Sequence, residues 1–225
     1  MGNLADRRSG LRATRERSRE AGSAREAGAV SSAQPTFYYD LASPECYLAA
    51  ERLAASPGAA PEWTPVRAAD LPAGALDAFR CGEDRDVYML EVERRARGRE
   101  LQPLRWPPGW PADVELALLV ATYAKQIGRA VAFSLAAFRQ AFAGGVDLAT
   151  PDGVVIAAAA CEMHPRAVLG AAQTRGVREA LAQATAQAAG AGVTQVPALV
   201  VGEAVFHGEE SFEAAARTLA GASAP

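Results

Sequence analysis

The sequence predicts an α/β fold in which a β-α-β half and a β-β-α half flank a long, mostly helical stretch. Three observations predict it. An aromatic, β-prone run, "TFYYDL", passes through a Ser-Pro step into an amphipathic segment. From about Gly82 to the "GAG" at 190–192, one helical pattern follows another. Near the end, "PALVV" and "AVF" flank Gly202-Glu203, a two-residue hairpin signal.

Each element has a local cause. Thr36–Leu41 reads as a buried strand closed by a polar turn. Ser43 is placed to cap the next helix. Pro44 sits just inside it, where the missing N–H costs nothing. Tyr47, Leu48 and Leu53 give that helix a core face, and Ser56-Pro57-Gly58 stops it. "EWTPVR", residues 62–67, is a second strand. Charged residues 84–97 start the helical run, and the connector "LQPLRWPPGWP" follows. Helices are then expected at 113–127 and 130–143, from Thr150-Pro151, from His164-Pro165, and over 175–189. Gly208 leads into a last amphipathic helix with Phe212, Ala215, Ala216 and Leu219 inward.

At 225 residues and 50% hydrophobic, the chain can bury a substantial core. A net charge of -3 gives no electrostatic reason to expect nucleic acid or an anionic membrane as partner. Small molecules or proteins are expected instead, and a homodimer is compatible. Three cysteines, Cys46, Cys81 and Cys161, contain no Cys-x-x-Cys pair, so neither a disulfide framework nor a zinc site is expected. With two histidines, His164 and His207, a multi-histidine metal centre is excluded; both read as structural. No window approaches the roughly 18 uninterrupted apolar residues of a membrane span. Residues 1–34 read as a disordered basic extension without a secretory core, and a cytoplasmic location is the expectation.

The chemistry centres on "SPEC", residues 43–46. A helix N-terminus presents unpaired N–H groups and the positive end of the macrodipole, so an anion is favoured there. A cysteine at position 43 would supply that anion as its own thiolate. Ser43 does not ionise near neutral pH and forms no disulfide, so dithiol exchange through this motif is ruled out. An open hydroxyl there can donate to the thiolate of a bound low-molecular-weight thiol, a bond that contributes about 1.5–3 kcal/mol. Capping alone also accounts for a serine before proline. Cys46, in the first helical turn, is either a buried filler or a reactive lone thiol. Cys81 and Cys161 carry no positional argument.

The element order is that of a thioredoxin fold (β-α-β … β-β-α) with a large all-helical domain inserted. It divides into residues 35–80 and 193–222 around 81–192. "FYYDLASPECYLAAERL", "LRWPPGWP" and "GVTQVPALVVGEAVFHGEESFEAAA" resemble the DsbA-like branch that contains 2-hydroxychromene-2-carboxylate isomerases and kappa-class glutathione transferases, over residues 36–220. The resemblance implies that Ser43, with Pro44 beside it, contacts the sulfur of glutathione. It implies a cis peptide before Pro197, which would turn the Val196 backbone toward a cysteinyl ligand. It also implies an acid at the start of the last helix to receive a γ-glutamyl amine, a place held here by Glu209-Glu210-Ser211; the arginine expected after it is missing. Tyr47, Trp106 and Trp110 are candidates for a substrate pocket, and the two tryptophans are equally candidates for a packing strap between helices.

Three functions follow. The first is a thiol-cofactor-dependent isomerase or transferase acting on a small electrophilic aromatic substrate. The second is a disulfide oxidoreductase using Cys46 as a lone thiol. The third is a non-catalytic binding module on the same fold.

Overall fold

The computed structural model describes residues 34–56, 60–74 and 79–215. Residues 1–33 of the basic extension lie outside them. Strand β1 (Thr36–Tyr39) enters helix α1 (Pro44–Ala55), and β2 (Glu62–Pro65) returns parallel to β1 with Phe37 opposite Trp63. A short 3-10 turn, Ala68–Asp70, follows. The helical stretch comprises α2 (Gly82–Gly98), α3 (Glu115–Gln126), α4 (Ala130–Phe142), α5 (Pro151–Ala159), α6 (Pro165–Ala172) and α7 (Arg175–Gly190). Strands β3 (Ala198–Val201) and β4 (Ala204–His207) form the expected hairpin, closed by the pair Val201↔Ala204. Gly202 supplies the positive φ of +60° that such a two-residue turn requires.

The sheet order is β2-β1-β3-β4, with β1 central. β1 is antiparallel to β3, with Tyr38 opposite Ala198. The ends of β1, β2 and β4 and the start of β3 therefore share one edge of the sheet. Pro197, one residue before the Tyr38↔Ala198 pair, and His207 belong to that edge, as does the loop into α1. A further helix opens at Phe212, whose ring and Ala215 are buried; Ala216 and Leu219 lie outside the described residues.

Local signals set the helix starts. Ser43, Thr150 and Thr174 each accept a backbone N–H three residues ahead, from Cys46, Gly153 and Val177. His164 caps α6 through Nδ1, and His207 accepts the Thr194 N–H through Nε2, so both histidines have structural partners. Pro44, Pro151 and Pro165 occupy first-turn positions.

The core passes from the sheet into the helices without interruption. Phe37 and Tyr39 stack at 5.4 Å beside Trp63, and Phe138 of α4 lies 5.8 Å from Tyr39. The Tyr39 hydroxyl is fully buried and bonded to Ser134 of α4, so a polar pair is satisfied inside an apolar layer.

Candidate functional site

The site candidate is the loop Asp40–Ser43 at the shared sheet edge. Its residues sit between the end of β1 and the positive end of α1, so their conformation is held from both sides. The Ser43 N–H bonds to the Asp40 carbonyl, and the Ser43 Oγ accepts the Cys46 N–H at 3.2 Å. The hydroxyl also meets the Cys46 thiol, a contact that favours a thiolate. Burial outweighs it and pushes that thiol up, far from ionisation at neutral pH. Cys46 has no exposed surface, which makes it a poor nucleophile. Cys161 is likewise buried, with its thiol raised by desolvation. Cys81 is exposed.

Ser43 is 2% exposed, which corrects the expectation of an open hydroxyl. The connector packs against the residue beside it. Trp110 donates from Nε1 to the Ala42 carbonyl at 2.9 Å and lies parallel to the Tyr88 ring of α2 at 5.9 Å. Trp106 packs 4.6 Å from Trp110 and donates to Glu93 at 2.8 Å. The two tryptophans thus strap α2 across the α1 loop. A void of about 10 Å³ lies against Trp110, enough for a single water. Tyr47, proposed from sequence as a pocket residue, is instead core. Its ring stacks on Phe142 at 5.8 Å.

The remaining candidates are spread along the same edge. The Val196–Pro197 peptide is cis, as is Trp110–Pro111. Both Val196 and Pro197 are buried, and the Pro197 carbonyl accepts the Gly208 N–H at 2.8 Å. Glu210 is exposed in the 3-10 turn before the last helix, within electrostatic reach of Arg99. The Glu209 side chain lies outside the described residues. Among the described residues no cluster fit for a metal ion occurs, and no helix is long and apolar enough to cross a membrane.

The residue the sequence reading passed over is Asp40. It is 5% exposed, yet both carboxylate oxygens are used: Oδ1 accepts the Ala42 N–H at 2.9 Å and Oδ2 the Ala68 N–H at 2.8 Å. It ties the α1 loop to the turn after β2. The signal was present as an acid inside the otherwise apolar run "FYYDLA". Burial pushes its pKa from the ordinary 3.8 up to about 6; the two amides and Arg67 oppose this, and Asp113 adds to it. The folded state therefore holds the proton more tightly than the unfolded chain. The stabilisation is complete below about pH 3.8 and is lost as pH rises through about 6, an effect on the order of 3 kcal/mol. Urea unfolding across this window should show Asp40→Asn flattening the pH dependence, and an unchanged slope would remove Asp40 as its source.

Comparison with known proteins places this arrangement. No curated protein matches the chain. A 2-hydroxychromene-2-carboxylate isomerase structure superposes with a TM-score of 0.72 at 17% identity, covering 83% of this chain and 94% of that one. A probable DsbA oxidoreductase from Streptomyces coelicolor gives 0.68 at 18% identity, covering 85% and 92%. A Pseudomonas aeruginosa DsbA gives 0.51 at 15% identity, covering 83% and 84%. At such identities the likeness is one of fold. The family model for the DSBA-like thioredoxin domain matches residues 36–220, most of the chain and every described strand, and the chain belongs to that family.

Proposed function

We propose that the protein is a thiol-cofactor-dependent enzyme of the isomerase or transferase kind, with Ser43 holding a sulfur borrowed from a low-molecular-weight thiol such as glutathione. The observation that carries this reading is the pairing of a serine at the α1 N-cap with a loop cysteine that is wholly buried and held as a thiol. The loop has no thiolate of its own, which weighs against a lone-thiol oxidoreductase working through Cys46. Its hydroxyl caps the helix through the Cys46 N–H, and the helix end favours negative charge. When bound, the thiol supplies a nucleophilic sulfur able to add reversibly to an electrophilic carbon of a small unsaturated aromatic substrate. In this reading Ser43 orients and stabilises the anion, with Pro44 and the Val196–Pro197 segment as its neighbours in the bound state, and Trp110 keeps water from the loop. The isomerase among the structural neighbours is named for 2-hydroxychromene-2-carboxylate, a small fused-ring carboxylate in keeping with this substrate class.

The burial of Ser43 favours one other reading, a binding module in which serine only caps α1. Thermal shift with glutathione and other small thiols separates the two. Under the enzyme reading, a thiol at a hundredfold excess over Kd stabilises the chain by about 2.7 kcal/mol. Both Ser43→Ala and Ser43→Gly abolish the shift. The alanine variant also loses about 1 kcal/mol of capping, and the glycine variant only a few tenths. A shift that survives in both variants reduces Ser43 to a cap, and the absence of a shift with any thiol leaves the binding module.

A further inference from the structure

A cavity of about 200 Å³ opens between the end of β1, the turn after β2 and the segment entering α3. Asp40, Arg67 and Asp113 form its polar side, and Pro111, Val114 and Leu118 its apolar side. Neither Ser43 nor Pro197 lines it. Asp40 is the buried member. One lone pair on each of its oxygens is taken by a backbone amide, and a carboxylate offers about four acceptor sites, so roughly half its accepting capacity is left over.

Among the described residues none forms an ion pair with Asp40. Arg67, the cation of the cavity, is turned to Asp113 at 3.3 Å and to Asp70 at 4.0 Å. Two carboxylates and one guanidinium leave the walls net negative. Arg67 acts on Asp40 only from beyond ion-pair distance, and the complement of such a buried acid is a cation that brings its own hydrogen-bond donors. The volume falls below the 300–1,000 Å³ of sites for drug-sized ligands, so a single ring or short chain is the size that fits.

We propose that this cavity binds a small organic ammonium with an apolar body, its nitrogen anchored on the Asp40 carboxylate and its body against Pro111, Val114 and Leu118. The site goes beyond the thiol reading and does not require it. The charged or titratable groups facing Asp40 are Arg67 and Asp113 in the cavity and Cys46 from α1. Burial raises the pKa of Asp40 to about 6, so ligand affinity should follow its ionisation.

The test titrates benzylammonium, benzyl alcohol and benzoate into the full chain and follows the amide NMR signals of Ala42, Ala68 and Asp113. Saturable shifts with benzylammonium near pH 7.5 are expected, weakening roughly tenfold near pH 5 as Asp40 takes up a proton. The alcohol and benzoate should bind at least about tenfold more weakly. Asp40→Asn should remove the binding. Ala69→Trp, at an exposed position on the cavity rim, should block it with Asp40 intact, and it decides the matter if the first variant does not fold. Ser43→Ala should leave ammonium binding in place, so failure here is distinguishable from failure of the thiol reading. Benzoate binding as tightly as benzylammonium, binding unchanged in Ala69→Trp, or no saturable binding at millimolar ligand would each overturn the proposal.

Discussion

Replacing Trp110 by alanine is expected to cost about 3–5 kcal/mol and to lower the melting temperature by roughly 10 °C. Trp110 is 7% exposed, and its ring meets Phe79, Tyr88 and Trp106. Its indole N–H is also the donor to the Ala42 carbonyl. The alanine variant loses the packing, leaves a cavity and removes that donor together. Trp110→Phe keeps most of the apolar contact and forfeits the hydrogen bond, so a loss of about 1–3 kcal/mol is expected for it. Calorimetry on the three proteins should place phenylalanine between tryptophan and alanine. Equal stability of all three would mean that the connector does not strap α2 to the α1 loop.

Phe138→Ala should cost a comparable 3–5 kcal/mol and do so in a single unfolding transition. Phe138 is fully buried in α4, with its ring 5.8 Å from Tyr39 of β1 and 6.4 Å from Tyr47 of α1. It joins the helical stretch to the sheet, beside the buried Tyr39–Ser134 hydrogen bond. Removing it should weaken both parts at once. Far-UV circular dichroism follows the helices, and tryptophan fluorescence includes Trp63, packed in the sheet against Phe37 and Tyr39. Coincident denaturation curves are the expected result. Separated midpoints would show that sheet and helices hold separate cores.

Much of the backbone was readable in advance because its causes are local. Capping residues, first-turn prolines and apolar spacing act within a few positions, and they located α1, α5, α6 and the β3–β4 hairpin closely. The helix 84–97 was underestimated by two residues at its start and one at its end, since Gly82 and Gly98 carry no helical signal of their own. The candidate site was legible in kind and less so in exposure. "SPEC" identified the N-cap and the missing first cysteine, but a motif does not reveal what packs over it. Trp110 lies 67 positions beyond Ser43, and the hydrogen bond that brings it down on the loop is tertiary. Tyr47 was misread for a related reason. Its place on a core-facing stripe was correct, and the stripe faces Phe138 and Phe142 rather than a pocket.

By itself the sequence determined the order of strands and helices, the serine at the head of α1 and the lack of a second loop cysteine. Those depend on residue identity and on neighbours a few positions away. Only the tertiary structure decided that the serine is covered, that Cys46 is inert, and that Asp40, Arg67 and Asp113 converge on one cavity. Burial and charge pairing depend on which distant segments close over a group, and that information resides in packing, not in any short stretch of chain.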